Sequence, residues 1–273
     1  MTTSEHRVAL VTGAGRPDGL GAAIIAQLVG DGFRAVATDL VNEVGLPELR
    51  DGPVDLGGEY RGEFLACDIA TPEGCAALVA DVVGRTGRLD VLVNNAVAPH
   101  GDDRRLLDEV PVESWDLVMN IGLRSPYLLM KAAIPTMRDQ HYGRLVNIAS
   151  ADGQTGRPRK GAYSASKAGL IALTRSVAME VGEHGITANC VCPGPMLTRR
   201  ATTTAAARVA LGAAASEEEA LATTVTRIPV GRYGVPLDVA RVVRYLASEE
   251  ASYVTAAEWG VHGGELWTGF LEV

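Results

Sequence analysis

Two patterns alternate along the chain. Short apolar, β-leaning runs fall at Arg7–Thr12, Phe33–Thr38, Glu63–Cys67, Leu89–Val93, Arg144–Ile148, Ile186–Cys192 and Glu258–Val261. Between them lie longer stretches whose apolar residues return every three or four positions, the period of a helix with one buried face. Gly19–Val29 is such a stretch, with Leu20, Ile24, Ile25 and Leu28 on one side. Thr71-Pro72-Glu73 opens another with a cap and a first-turn proline, and it runs to about Thr86. Glu113–Arg138 reads as a long helix that Pro126 and Pro135 bend or interrupt. Helices are also predicted over Ala162–Val181 and Pro236–Ala247, with two more inside Pro193–Ile228. The segments 40–62, 99–110 and 152–159 carry little periodicity and are predicted as connections, the first extended with at most a short helix. Strands that alternate with helices define an α/β protein, one doubly wound parallel sheet of seven strands with helices on both faces. No repeat, tail or linker divides it, so 1–273 is expected to be a single domain, with about 195–228 covering the substrate.

Composition narrows the function classes. The apolar share is 47%, ample for a core, and the net charge is −8 with no Lys/Arg-rich stripe, so nucleic acid is not an expected partner. The N-terminus lacks an apolar signal core and no run reaches membrane-spanning length, so a cytoplasmic protein with no membrane partner is expected. The four cysteines are Cys67, Cys75, Cys190 and Cys192. The last two share a strand face, but His184 has no zinc-like spacing to them, so buried thiols and no metal are expected.

Two sites of chemistry remain. The first is strand, Gly-rich turn, helix, strand and a terminal acid at Asp39, a βαβ unit that binds a dinucleotide. Gly13, Gly19 and Gly21 let the backbone approach a pyrophosphate at the helix N-terminus. Asp39 suits two free ribose hydroxyls and opposes a phosphate, which favours NAD(H); Arg16 leaves NADP(H) possible. The second is Tyr163 and Lys167, four apart and so on one helical face, with Ser150 upstream. A free tyrosine has a pKa near 10; a nearby ammonium lowers it, and a serine hydroxyl can hold a substrate oxygen against the phenol. Together they can move a proton on or off an alcohol while a hydride crosses at its carbon.

The ordered set Thr12-Gly13, Gly19-Leu20-Gly21, Asp68, Asn94-Asn95-Ala96, Asn120, Ser150, Tyr163, Lys167 and Pro193-Gly194 resembles the short-chain dehydrogenase/reductase family, from about Val8 to Gly264. The resemblance implies a Rossmann fold and a tyrosine-based oxidoreductase that interconverts a secondary alcohol and a ketone. By that likeness Asn120, Ser150, Tyr163 and Lys167 are catalytic. Lys167 also holds the cofactor ribose, and the backbone of Asn120 holds a water that links the lysine to solvent. Asp68 and Ile69 border the adenine. Asn95 and Ala96 border the cofactor, and Pro193, Gly194, Met196 and Thr198 hold the nicotinamide end. The Gly-rich loop is two residues longer than the family's, Val97 replaces a glycine, and Thr255-Ala256 stands where the family often has Thr-Gly. His262 is expected to pack at the last strand, and Trp259, Trp267 and Phe270 to be core or subunit contacts. The family also implies a homotetramer built through 113–138 and 162–181. One rival is an NADPH-dependent 3-oxoacyl-thioester reductase, whose acidic carrier would meet Arg104, Arg105, Arg157, Arg159 and Lys160. The other, of a different class, is a cofactor-binding regulator without chemistry.

Overall fold

The central strands are continuously apolar because both of their faces are covered. In the computed structural model, which describes residues 6–52, 54–56, 60–98 and 104–266, seven parallel strands form one sheet. They are β1 (Val8–Thr12), β2 (Arg34–Asp39), β3 (Glu63–Ala66), β4 (Val91–Asn94), β5 (Gly143–Ile148), β6 (Ile186–Pro193) and β7 (Glu258–Val261), in the order β3-β2-β1-β4-β5-β6-β7. The two-residue period divides each strand between two cores. Val8 and Leu10 face α2 (Pro72–Thr86), α4 (Ser125–Asp139) and α6 (Gly161–Val181), whereas Ala9 and Val11 face α1 (Leu20–Gly30) and α9 (Pro236–Ala247).

Two connections take forms that the sequence did not specify, and two others follow their expectations. The predicted helix over 113–138 is broken into α3 (Val112–Met119), a π-helical turn at Asn120–Arg124, and α4. Pro126 has no amide hydrogen for the carbonyl four residues earlier, and the chain widens before resuming at the start of α4, where a proline is tolerated. Pro135 sits inside α4. Part of the predicted 152–159 loop is helix α5 (Ala151–Thr155), because the Ser150 hydroxyl accepts from the Asp152 amide at 3.1 Å and caps it. The described part of 40–62 is extended, with Glu48 bridged in parallel to Phe64. The segment after β6 folds into two helices, α7 (Arg199–Ala210) and α8 (Glu217–Val225), the second capped by Ser216.

One end of the sheet is held by charge. Arg34 and Glu63, 4% and 0% exposed, form an ion pair across β2 and β3, Nε to Oε2 at 2.7 Å and Nη2 to Oε1 at 3.2 Å. The Arg50 amide also donates to Glu63 Oε1, at 3.0 Å, and the Arg34 guanidinium donates to the carbonyls of Arg50 and Gly52. The pair thus ties the 49–52 backbone to the sheet. Among the described residues no helix is long and apolar enough to cross a membrane.

Candidate active site

β1–β3 run to one side of the sheet and β4–β7 to the other, so the order reverses between β1 and β4. A crevice opens there, at the carboxyl ends of the strands. Thr12 and Asn95 hold its floor. Thr12 Oγ1 accepts from the amides of Asn95 and Ala96, each at 3.0 Å, and Asn95 Nδ2 donates to the carbonyls of Thr12 at 2.8 Å and Gly13 at 3.0 Å. Gly13 has φ +66°, and a Cβ there would lie 2.7 Å from Ala96 Cα. Gly13→Ala should therefore cost about 2 kcal/mol, from left-handed backbone strain and the clash with Ala96. Urea unfolding checks it, and an unchanged midpoint would show that the crevice floor yields freely.

The loop above this floor suits an anion. Gly19 caps α1 without a side-chain hydrogen bond, and the first turn holds no acid, so the amides and the positive helix end remain for a ligand. Gly21 packs on Gly13 and Ala14 with no room for a Cβ. Leu20, the first residue of α1, packs against the α1–α9 core. Asp39 is fixed in this loop: its Oδ2 accepts from the Gly15 amide at 3.1 Å and its Oδ1 from that of Leu40 at 2.7 Å. Gly15 is an addition to the sequence reading, since a Cβ there would fall 1.8 Å from the Val41 carbonyl. Arg16 pairs with Glu43 at 3.8 Å. Arg199, the first residue of α7, reaches Asp18 at 3.6 Å and Glu43 at 3.9 Å, so α7 is tied to the lengthened loop. With an open helix end and a fixed carboxylate at the second strand, these residues fit a dinucleotide.

The remaining predicted contacts lie at or just beyond the carboxyl ends of β3 and β6. Asp68 is exposed and its Oδ1 accepts from the Ala70 amide at 2.9 Å, while Thr71 caps α2. Ile69 is buried beneath it. Gly194 donates to the Val261 carbonyl at 3.0 Å, and a Cβ on it would strike His262, which explains the glycine after Pro193. His262 thus packs at the last strand. Met196 bridges to Gly234, and Thr198 is the extended residue before α7. Trp259 packs in the core against Tyr245, with ring centroids 5.5 Å apart. Ala256 takes φ 59°, a conformation better suited to glycine. Trp267 and Phe270 lie outside the described residues.

Of the predicted catalytic residues, Ser150, Tyr163 and Lys167 come together where β5 ends and α6 begins, whereas Asn120 bonds to other partners. A buried amide chain sets α6 on the sheet: Asn94 donates to Asn147 Oδ1 at 2.8 Å, and Asn147 donates to Thr174 Oγ1 at 2.7 Å. Asn147 was legible as a polar residue within an apolar strand; its partner on α6 was not. Ser150 lies beside the Tyr163 phenol and favours its ionised form. Lys167, almost fully buried, donates to the Ile148 carbonyl at 2.7 Å, with its Nζ 5.9 Å from the Tyr163 ring centroid. Asn120 opens the π-helical turn and its Nδ2 donates to the Ala70 carbonyl at 2.7 Å. Its carbonyl accepts from the Ser125 amide and, at 3.0 Å, the Ser125 hydroxyl, while its Oδ1 is buried without a partner.

The electrostatics correct one expectation. The Tyr163 pKa is raised above its ordinary value, because burial outweighs everything that favours the phenolate. The largest opposing influence is Arg200, not Lys167; its guanidinium lies 5.1 Å from the Tyr163 ring centroid. Burial, with Arg200 second, lowers Lys167 to about 8. No local spacing pointed to Arg200. Arg157 and Lys160 are turned inward: Arg157 pairs with Glu265 and, at 3.0 Å, with Asp152, which Lys160 also meets at 2.6 Å. Burial pushes the Cys190 thiol up to about 11 and that of Cys192 to about 12, as inert core thiols require. Among the described residues no group of acids, cysteines and histidines could hold a metal ion.

A dinucleotide crevice beside a serine, a tyrosine and a lysine defines a class, the nucleotide-dependent oxidoreductases. The family model described as enoyl-(acyl carrier protein) reductase matches residues 13–265. D-beta-hydroxybutyrate dehydrogenase of Rhizobium meliloti is 32% identical over 96% of this chain and 98% of its own length. The 3-oxoacyl-[acyl-carrier-protein] reductase FabG of Vibrio cholerae is 34% identical over 95% and 97%. The crystal structure of levodione reductase superposes with a TM-score of 0.83 at 28% identity, covering 95% of this chain and 97% of that one. The chain belongs to the short-chain dehydrogenase/reductase family. It is an NAD(P)(H)-dependent oxidoreductase, and the reading as a regulator without chemistry is set aside.

Proposed function

We propose that this enzyme interconverts a secondary alcohol and a ketone, with NAD(H) as the preferred cofactor. The observation that carries the reading is the Tyr163 phenol, set by α6 beside Ser150 and Lys167 at the carboxyl end of β5. When bound, the nicotinamide supplies or accepts the hydride. Ser150 orients the substrate oxygen, and Tyr163 gives that oxygen a proton in reduction or takes one in oxidation. Lys167 provides a buried cation behind the phenol, through which the proton is exchanged. Asn120 supports that path from the π-helical turn. Pro193, Gly194, Met196 and Thr198 line the nicotinamide end, and α7 and α8 cover the substrate. A ketone panel assayed by NADH and NADPH oxidation tests the reading, and no turnover with either cofactor counts against it.

NAD(H) is favoured because Asp39 is already fixed by two amides, where a 2′-phosphate would meet its charge. Arg16, paired with Glu43, offers little return, since exposed ion pairs are worth about 0–1 kcal/mol. The preference in kcat/KM should be at least tenfold, about 1.4 kcal/mol. Asp39→Ala should erode it mainly by admitting NADP(H), and adding Arg16→Ala should weaken NADP(H) again only if that arginine reaches the phosphate. Wild-type preference for NADPH would refute the assignment.

The relatives named as acyl-carrier-protein reductases support a 3-oxoacyl thioester as the alternative substrate. Against it, Arg157 and Lys160 face Asp152 and Glu265 rather than a carrier. The assembly we propose is a cytoplasmic homotetramer through α4 and α6. Beside these helices lies an apolar groove of about 760 Å³ lined by Leu117, Leu123, Tyr127 and Leu173.

A further inference from the structure

We propose that Asp152 is a positioning residue for the reaction: clamped by Lys160 and Arg157, it fixes the orientation of the Ser150 hydroxyl beside Tyr163. This rests on the alcohol–ketone reading above and adds a residue outside the ordered set that carries the family likeness. Ser150 caps α5, and its Oγ accepts from the Asp152 amide at 3.1 Å. A serine hydroxyl has one proton and two lone pairs. One lone pair is turned to that amide, so the proton is left for a neighbouring oxygen. The place of the Asp152 backbone therefore decides where the Ser150 proton points.

That backbone does not hold itself. α5 has five residues, and a helix so short persists only through tertiary contacts. Two cations that follow it in the chain supply them. Lys160 Nζ meets Asp152 Oδ2 at 2.6 Å and Arg157 Nε meets Oδ1 at 3.0 Å, so both carboxylate oxygens are engaged. Lys160 is also the N-cap residue of α6, just before the turn that carries Tyr163, and its carbonyl accepts from the Ser164 amide at 2.8 Å. Arg157 is braced in turn by Glu265, beyond β7. Further along, α5 lies directly on α6, since a Cβ on Gly153 would fall 2.8 Å from Lys167 Cβ. One short helix thus meets Ser150, the start of α6 and Lys167, and the Asp152 carboxylate joins the first two. A buried ion pair is weak evidence for stability, because desolvation can exceed attraction; its use here is to specify one geometry. The carboxylate is also close enough to the phenol to oppose its ionisation, while Arg200 and Arg104 favour it. Removing that charge alone would make Tyr163 a readier proton donor. A loss of ketone reduction in Asp152→Asn therefore reads position rather than charge.

The test is a double-mutant cycle on the reduction step. Methyl acetoacetate, cyclohexanone and the acetoacetyl thioester of N-acetylcysteamine are offered to wild type with NADH and with NADPH, and the fastest pair is carried forward. Single-turnover rates at neutral pH, with enzyme in excess of cofactor, are measured for D152N with Ser150 present and in an S150A background. D152N should lower the rate at least about tenfold with Ser150 present, as misorientation does. In S150A it should lower the rate less than about twofold, because the two residues act as a unit. Cofactor affinity, read by nucleotide fluorescence, should stay at the wild-type value. K160M should also lose rate and K160R should recover most of it, both melting with wild type; if D152N does not fold, K160M takes its place in the cycle. An undiminished rate in D152N would overturn the proposal. Equal losses in the two backgrounds would do the same, since a merely structural residue produces them, and so would equal losses in K160M and K160R. Each of these leaves the alcohol–ketone reading intact, whereas no turnover of any of the three substrates would sink both.

Discussion

Tyr163→Phe should lower kcat by about 10² or more while NADH still binds, since acid–base steps contribute roughly 10²–10⁴-fold. The substitution removes one hydroxyl and keeps the ring, which packs against Ala98, Val118 and Ala162. What is lost is the proton held between Ser150 and the substrate oxygen. The direction of the Tyr163 shift sharpens the expectation. With its pKa raised by burial, the phenol is protonated across the neutral range and is ready to donate in ketone reduction. Alcohol oxidation needs the phenolate, so its rate should climb toward alkaline pH while reduction holds at neutral pH. Steady-state kinetics on wild type and the variant, with a deuteride effect to show that chemistry limits the rate, measures both. Near-normal turnover of the variant would remove Tyr163 from the mechanism.

Glu63→Gln should destabilise the fold by roughly 3–5 kcal/mol, the usual loss when one partner of a buried pair is removed. Arg34 would remain charged, 4% exposed, with only carbonyls and a neutral amide around it. The pH dependence follows from the sign of the shift. Burial alone would raise the Glu63 pKa, but Arg34, with the Arg50 amide, brings it below its ordinary value. A carboxyl depressed in the folded state stabilises fully above its unfolded pKa of about 4.3, and that contribution fades as pH falls through the lower, folded value. Wild type should therefore lose stability in that acid window, and Glu63→Gln should lose less there while being weaker at pH 7. Urea midpoints from pH 7 down to 3 decide the matter; equal slopes in the two proteins would deny Glu63 its role. Activity should survive at temperatures where the variant stays folded, because the pair sits at the β2–β3 edge.

Most of the fold was legible in the chain because its signals are local. A strand buried on both faces must be apolar at successive positions, as in Val8–Val11, and Thr71-Pro72 marks a helix start within a single turn. The likeness of Gly13, Asn95, Ser150, Tyr163 and Lys167 to a family pattern then located the candidate site. The misread connections had local causes that compete. The family pattern marks Ser150 only as a catalytic group, whereas its hydroxyl also caps α5. Around Asn120, the prolines predicted an interruption but not its π-helical form.

The sequence by itself thus determined the order of strands and helices, the glycines where the backbone must approach closely, and the one-turn spacing of Tyr163 and Lys167. Each depends on residues within a few positions of one another. Only the tertiary structure decided which charges meet. Lys167 finds the Ile148 carbonyl, Arg34 finds Glu63, and Arg200 comes over the Tyr163 ring from the helix after β6. These groups are far apart along the chain, and the crossovers of the sheet and the docking of α7 bring them together. No local pattern encodes that approach, which sets the Arg200 guanidinium as well as the Lys167 ammonium beside the phenol ring.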